Sequence, residues 1–162
     1  TDVIIGGIVR EPVTIMKTAQ AIGYKARFYG LGPTVDPRVA MLAGEAGEGF
    51  ISVYWAYYPD SDKPGPTLYR ELCDKNNVPE EMRGLYHYYG FATANVLVEG
   101  LRKAGRYPTR KRLINGLENL KNWDNGAFPP ITYSRTDHAG VESVILLQLQ
   151  GGKQVAITDW LD

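Results

Sequence analysis

The sequence predicts an α/β fold: a parallel sheet flanked by helices and finished by an antiparallel hairpin. Three observations predict it. Short, mainly apolar runs at residues 3–5, 26–30 and 50–55 are bounded by glycine or turn residues, as strands buried on both faces are. Stretches with apolar residues at helical spacing lie between them, and strand–helix–strand order makes parallel pairing the natural solution. Near the C-terminus two strand-like runs flank Gly151 and Gly152, the turn signal of a hairpin.

Each element has its own local reason. Val3, Ile4 and Ile5 form the first strand, closed by Gly6 and Gly7. Glu11 and Pro12 open a helix, since proline in the first turn sacrifices no hydrogen bond and glutamate suits the positive helix end. Val13, Met16, Ala19 and Ile22 share one of its faces, and Gly23 stops it. Residues 26–30 are the second strand. Asp36, a capping residue followed by Pro37, begins a helix over Val39, Met41 and Leu42 that ends in the glycine-rich stretch 44–49. Residues 50–55 are the third strand. The segment 57–66 holds three prolines and breaks the pattern. After it come helices only, at 66–76, at 85–104 with Gly105 past its end, and from Thr109 onward. The last of these carries Leu113, Ile114, Leu117 and Leu120 on one face, with Thr109 as a simple cap. A second break spans 124–130, and strands are expected at 131–134, 141–149 and 153–159.

Composition bounds the function. With 162 residues, 44% of them hydrophobic, the chain can bury roughly 70% of its unfolded surface. Its 18 Lys and Arg balance 18 Asp and Glu, which argues against a generic nucleic-acid binder. No apolar run approaches the ~20 residues that cross a bilayer. Cys73, the single cysteine, has neither a disulfide partner nor companions for a zinc site, and no metal or cofactor is expected. Eleven tyrosines are more than this length usually carries. The chain opens within a strand-like run without Met or leader, so it is expected to be a piece of something longer. The helices after residue 57 have no strands of their own to pack on, which suggests two lobes with the chain crossing between them. The expected division is residues 1–56, a helical segment 57–128, and returning strands 129–162.

Several stretches are collinear with one family. They are Asp2 to Gly7, Ala21 to Lys25, Phe28 to Gly30, Leu42 to Gly49, Tyr89 to Phe91, Leu117 to Lys121, Asp137 to Val141, and Gly152 to Trp160. Together they resemble the later part of type I periplasmic solute-binding proteins, in the branched-chain amino-acid (Leu/Ile/Val-binding) branch of ABC transporters. The resemblance implies two α/β lobes joined by three crossovers, a small ligand in the cleft, and an ABC transporter permease as partner. It implies a periplasmic or extracellular location and no catalysis. Residues 1–56 and 129–162 would belong to the C-terminal lobe and 57–128 to the N-terminal lobe. An N-terminal half, or a second copy, would cover helix faces such as that of Val96, Leu97 and Leu101. Two alternatives remain beside it: a ligand-sensing subunit of the same fold, and a small α/β oxidoreductase.

Ligands of open α/β sheets sit beyond the carboxyl ends of the strands. The candidates are therefore Ile8, Val9 and Arg10 after the first strand, Leu31, Gly32 and Thr34 after the second, and Tyr54, Trp55 and Tyr57 near the first crossover. Core or hinge packing is the competing role of the three aromatics, and a solvated helix start that of Arg10. In amino-acid-binding members the resemblance places an aromatic residue at Ile8–Val9 and an acidic one near Gly32. Neither is present. The expected ligand is an amino acid-like or an aromatic or aliphatic carboxylate. A buried ammonium without a counter-charge is costly, which favours one lacking an amino group, with Arg10 a candidate charge partner.

Enzymatic motifs are thin. Tyr107 and Lys111 have the Tyr-x-x-x-Lys spacing of short-chain dehydrogenases, but no dinucleotide glycine fingerprint precedes them. Asp137 and His138 read as turn residues beside Ser134 rather than an acid–base pair. His87, among Tyr86, Tyr88 and Tyr89, lacks the further ligands a metal needs, Glu80 and Glu81 read as a solvated helix start, and Cys73 reads as a small core residue.

Overall fold

The computed structural model describes residues 1–162. The chain forms two compact units, Thr1–Trp55 with Ser143–Asp162, and Ala56–Glu142. The second divide lies well beyond the expected 128/129. Residues after Pro130 fold onto the helical unit instead of returning: Trp123 and Ile131 exchange backbone hydrogen bonds of 2.8 Å, and Tyr133 donates to the carbonyl of Leu120.

In the first unit, β1 (Asp2–Ile5), β2 (Arg27–Gly30), β3 (Ile51–Tyr54), β4 (Ile145–Gln150) and β5 (Lys153–Ala156) form one sheet in that spatial order. The first three strands are parallel, and β4 and β5 run antiparallel to their neighbours. The parallel crossovers carry α1 (Arg10–Ala21) and α2 (Pro37–Ala43). Both helices feed one buried cluster, in which Met16, Val39, Ala40 and Ala43 meet Ile5, Phe50 and Leu149. Asp36 caps α2 by accepting from the Arg38 N–H at 2.9 Å, as its place before Pro37 predicts. Gly151 and Gly152 both have positive φ, 56° and 80°, which the tight β4–β5 turn requires.

The other face of the sheet is different. Register places Ile4 beside Tyr29, Tyr29 beside Ile51, Ile51 beside Gln148, and Gln148 beside Val155. Ile4 is 77% exposed and Val155 39%. The third strand expectation holds with slightly shorter bounds, and the run from 141 becomes a regular strand only at Ile145.

The second unit is helical: α3 (Pro64–Lys75), α4 (Leu85–Ala104) and α5 (Arg110–Glu118). The strand expected at 131–134 is reduced to the single Trp123–Ile131 bridge, because Tyr133 and Ser134 turn their N–H groups to Leu120 and Asp137. Helix α4 buries Leu85, Tyr88, Ala92, Val96, Gly100 and Ala104 at three- and four-residue spacing. Val96, expected on the exposed face, is thus inside, whereas Leu97 and Leu101 remain open at 48% and 39%. The rings of Tyr69, Tyr88 and Phe91 cluster together, Tyr69 and Tyr88 edge-on with centroids 5.2 Å apart. Two of the eleven tyrosines therefore serve this helical core.

Candidate functional site

The carboxyl ends of β1, β2 and β3 in the first unit carry most of the expected ligand residues. After β1 the chain turns through Gly6, Gly7 and Ile8 into α1. Glu11 reaches back across this turn, and its Oε2 accepts the Ile8 N–H at 3.1 Å. A Cβ on Gly7 would stand 2.7 Å from that of Glu11, so only glycine admits the contact. The Ile8 N–H, and then the N–H of Glu11 itself, hold the Glu11 carboxyl below the usual carboxylate range. Ile8 is exposed, Val9 is half-buried against the core cluster, and Arg10 is exposed at the first position of α1. These three keep the accessibility a ligand would need.

The loop after β2 divides. Leu31 is exposed. Gly32 lies beneath the Trp55 ring, where a Cβ would fall 1.7 Å from Cζ3, so Gly32 and Trp55 form one packed contact. Thr34 is fully buried. Its hydroxyl donates to the Leu31 carbonyl at 2.6 Å and shares a 2.7 Å hydrogen bond with Ser52. That hydroxyl closes the turn and serves the fold. Tyr54 is 1% exposed and packs with Trp55 at a centroid distance of 6.3 Å, so it too stands in the core. Tyr57 belongs to the second unit, where its N–H donates to Ala127 and the Lys63 ammonium lies 5.0 Å from its ring centre. Burial, then the nearby Asp124 carboxylate, pushes its phenol upward.

Sequence reasoning missed two participants. In the sequence Glu11 stands out only for its place at a helix start, yet it is the carboxylate of this loop; the adjacent Gly7 was the available signal. Ser52, the one small polar residue in an otherwise apolar and aromatic strand, was the signal for the buried pair with Thr34. The polar groups of the other candidate motifs pair locally. Asp137 spends Oδ1 on the N–H of Ala139, and His138 Nε2 stands 3.3 Å from Glu118 Oε1. His87 Nδ1 pairs with the Tyr69 hydroxyl at 2.9 Å, and Cys73 is a buried free thiol. No three His, Cys, Asp or Glu side chains converge as a metal site. No helix is long and apolar enough to cross a membrane.

A family model described as periplasmic binding protein matches residues 1–154. Comparison with curated proteins returns no match. Among solved structures, a branched-chain amino-acid ABC transporter protein from Thermus thermophilus with bound valine superposes with a TM-score of 0.87 at 25% identity. The match covers 98% of this chain and 45% of that one. A possible leucine/isoleucine/valine-binding protein from Rhodopirellula baltica gives 0.84 at 18% identity, covering 97% and 42%. A fatty acid ABC transporter substrate-binding protein from Thermomonospora curvata gives 0.80 at 20% identity, covering 98% and 42%. The last two show a common fold. The chain thus spans less than half the length of these structures.

Proposed function

Because the chain belongs to the periplasmic binding protein family, we propose that it forms about half of a two-lobed, extracytoplasmic carrier. That carrier captures a small organic ligand in an interlobe cleft and delivers it to an ABC importer without chemical change. In this reading residues of the first unit belong to the C-terminal lobe and those of the second to the N-terminal lobe. Ligand binding stabilises a closed state because both lobes contact the ligand only there.

The ligand-facing set in the first unit is Ile8, Val9, Arg10, Leu31 and the Trp55 ring over Gly32. The observation that carries the ligand class is the pairing of an apolar rim with one exposed guanidinium, that of Arg10 at the first position of α1, just beyond the turn after β1. A carboxylate with an aliphatic or aromatic body suits that combination, since a guanidinium holds a carboxylate by charge-assisted hydrogen bonds. Glu11 favours a second reading. Its ionised carboxyl lies in the first turn of α1, beside Arg10, and would serve as counter-charge for an amino acid, the ligand class of the valine-bound relative.

A thermal-shift screen on the polypeptide of its relatives' full length separates the two. Stabilisation by simple carboxylates that is lost in Arg10→Gln supports the first. Tight leucine or valine binding that is lost in Glu11→Gln overturns it in favour of the second.

A further inference from the structure

The zero net charge of the chain conceals a steep local imbalance. Between Glu99 and Glu118 there are six cations, Arg102, Lys103, Arg106, Arg110, Lys111 and Arg112, and no acid. They occupy the end of α4, the turn that follows and the first turn of α5, and all six are exposed.

Stability accounts for only some of them. Arg102 and Lys103 suit the negative end of α4, and both lie within 3.8 Å of Glu99. Arg110, Lys111 and Arg112 stand at the positive end of α5, in a first turn that holds no acid. There each cation opposes the helix dipole and repels its neighbours, and only Arg112 has a fold-stabilising contact, donating to the Tyr107 carbonyl at 3.1 Å. At the tip, Tyr107 is 69% exposed with the Arg106 guanidinium 5.6 Å from its ring centre. Beside it Lys103, Arg112, Asn115 and Asn119 line a surface cavity of about 460 Å³.

We propose that this α4–α5 turn is a docking surface for anionic phospholipid headgroups. A protein partner would call for mixed charge to set register, and lysine is depleted at protein interfaces. An unbroken cationic run around an exposed tyrosine has the chemistry of a lipid surface instead: basic residues are drawn to its negative potential, and tyrosine settles at headgroup level. The cavity offers a phosphodiester charge from Lys103 and Arg112 and the side-chain amide of Asn115, while Asn119 already donates to the Asn115 carbonyl at 2.7 Å and Arg112 to that of Tyr107 at 3.1 Å. The surface lies wholly within the second unit and does not involve the ligand residues, so its failure leaves the carrier reading untouched.

Co-sedimentation of the polypeptide of its relatives' full length with vesicles tests it, with a vesicle-free control for self-association. Binding is expected with phosphatidylcholine–phosphatidylglycerol vesicles, absent with phosphatidylcholine alone, and weakened by salt. The triple variant Arg106→Gln, Arg110→Gln, Lys111→Gln should bind on the order of 100-fold more weakly. It should melt no earlier than the parent, because two of the charges removed oppose α5. An equal change of charge elsewhere, Lys17→Gln, Lys25→Gln, Lys153→Gln, should leave binding intact. Equal binding to both vesicle types, or equal loss in both triple variants, overturns the proposal. So does a salt-sensitive association with poly-glutamate without any binding to phosphatidylglycerol vesicles, which would assign the surface to an acidic protein.

Discussion

Asp36 does two jobs from a buried position. Its Oδ1 accepts the Arg38 N–H that caps α2, and both carboxylate oxygens hold the Arg38 guanidinium, at 2.9 Å and 2.7 Å. Burial alone would raise this carboxyl, but the Arg38 side chain and N–H outweigh it and hold the group below its ordinary 3.8. Asp36→Ala removes cap and charge together and should cost about 1–2 kcal/mol in urea unfolding. Asp36→Asn keeps a good cap and loses only the charge. A carboxyl depressed in the native state stabilises it above the unfolded value and loses that contribution as pH falls through the native one. The gap between parent and Asp36→Asn should therefore be complete above 3.8 and close only in stronger acid. A gap that stays constant throughout the acid range would mean the ion pair contributes nothing. At this scale the sequence revealed caps better than ligand groups. Asp36 before Pro37 announces its role locally, whereas Thr34 looks available until Ser52, eighteen residues on, is found to share its hydroxyl.

Two glycines show how helices respond to the same change in opposite ways. A Cβ added at Gly90 in α4 would meet nothing within 4 Å, so Gly90→Ala should stabilise by about 0.5–1 kcal/mol through helix propensity alone. A Cβ added at Gly116 in α5 would stand 2.6 Å from the Gly100 carbonyl oxygen, and a backbone oxygen cannot swing aside. Gly116→Ala gains the same propensity but overpacks the α4–α5 seam, for a net loss of roughly 1–2 kcal/mol. Thermal or urea unfolding of the two variants should thus move in opposite directions, and parallel shifts would rule out the close seam. Elements with a strong period and punctuated ends were legible: α4 runs from Leu85 to Ala104 as expected, and Thr109 caps α5 by accepting from the Arg112 N–H. Residues 131–134 were not, because an apolar run does not say whether a partner strand awaits it. Here the partner is the single residue Trp123.

Each unit leaves an apolar surface open, and for a different reason. In the first, both helices of the parallel crossovers serve one core cluster, so the opposite side of β1 carries Ile4 into solvent. In the second, helices have no sheet, and Leu68 and Leu72 on α3, with Leu97 and Leu101 on α4, are open at four-residue spacing. Single exposed apolar residues are ordinary, but spaced pairs along a helix are the mark of a face meant for a partner. The solved relatives are more than twice as long as the part this chain matches, and on the two-lobed reading proposed above the polypeptide of the other half would cover these faces. The chain on its own should therefore self-associate and bind a hydrophobic dye. Leu97→Glu with Leu101→Glu should reduce both without altering helix content, since charged groups at these positions resist burial. Co-expression with the other half of the protein should suppress association without any substitution. Sedimentation at the size of one chain, with no dye binding, would mean that these faces need no cover.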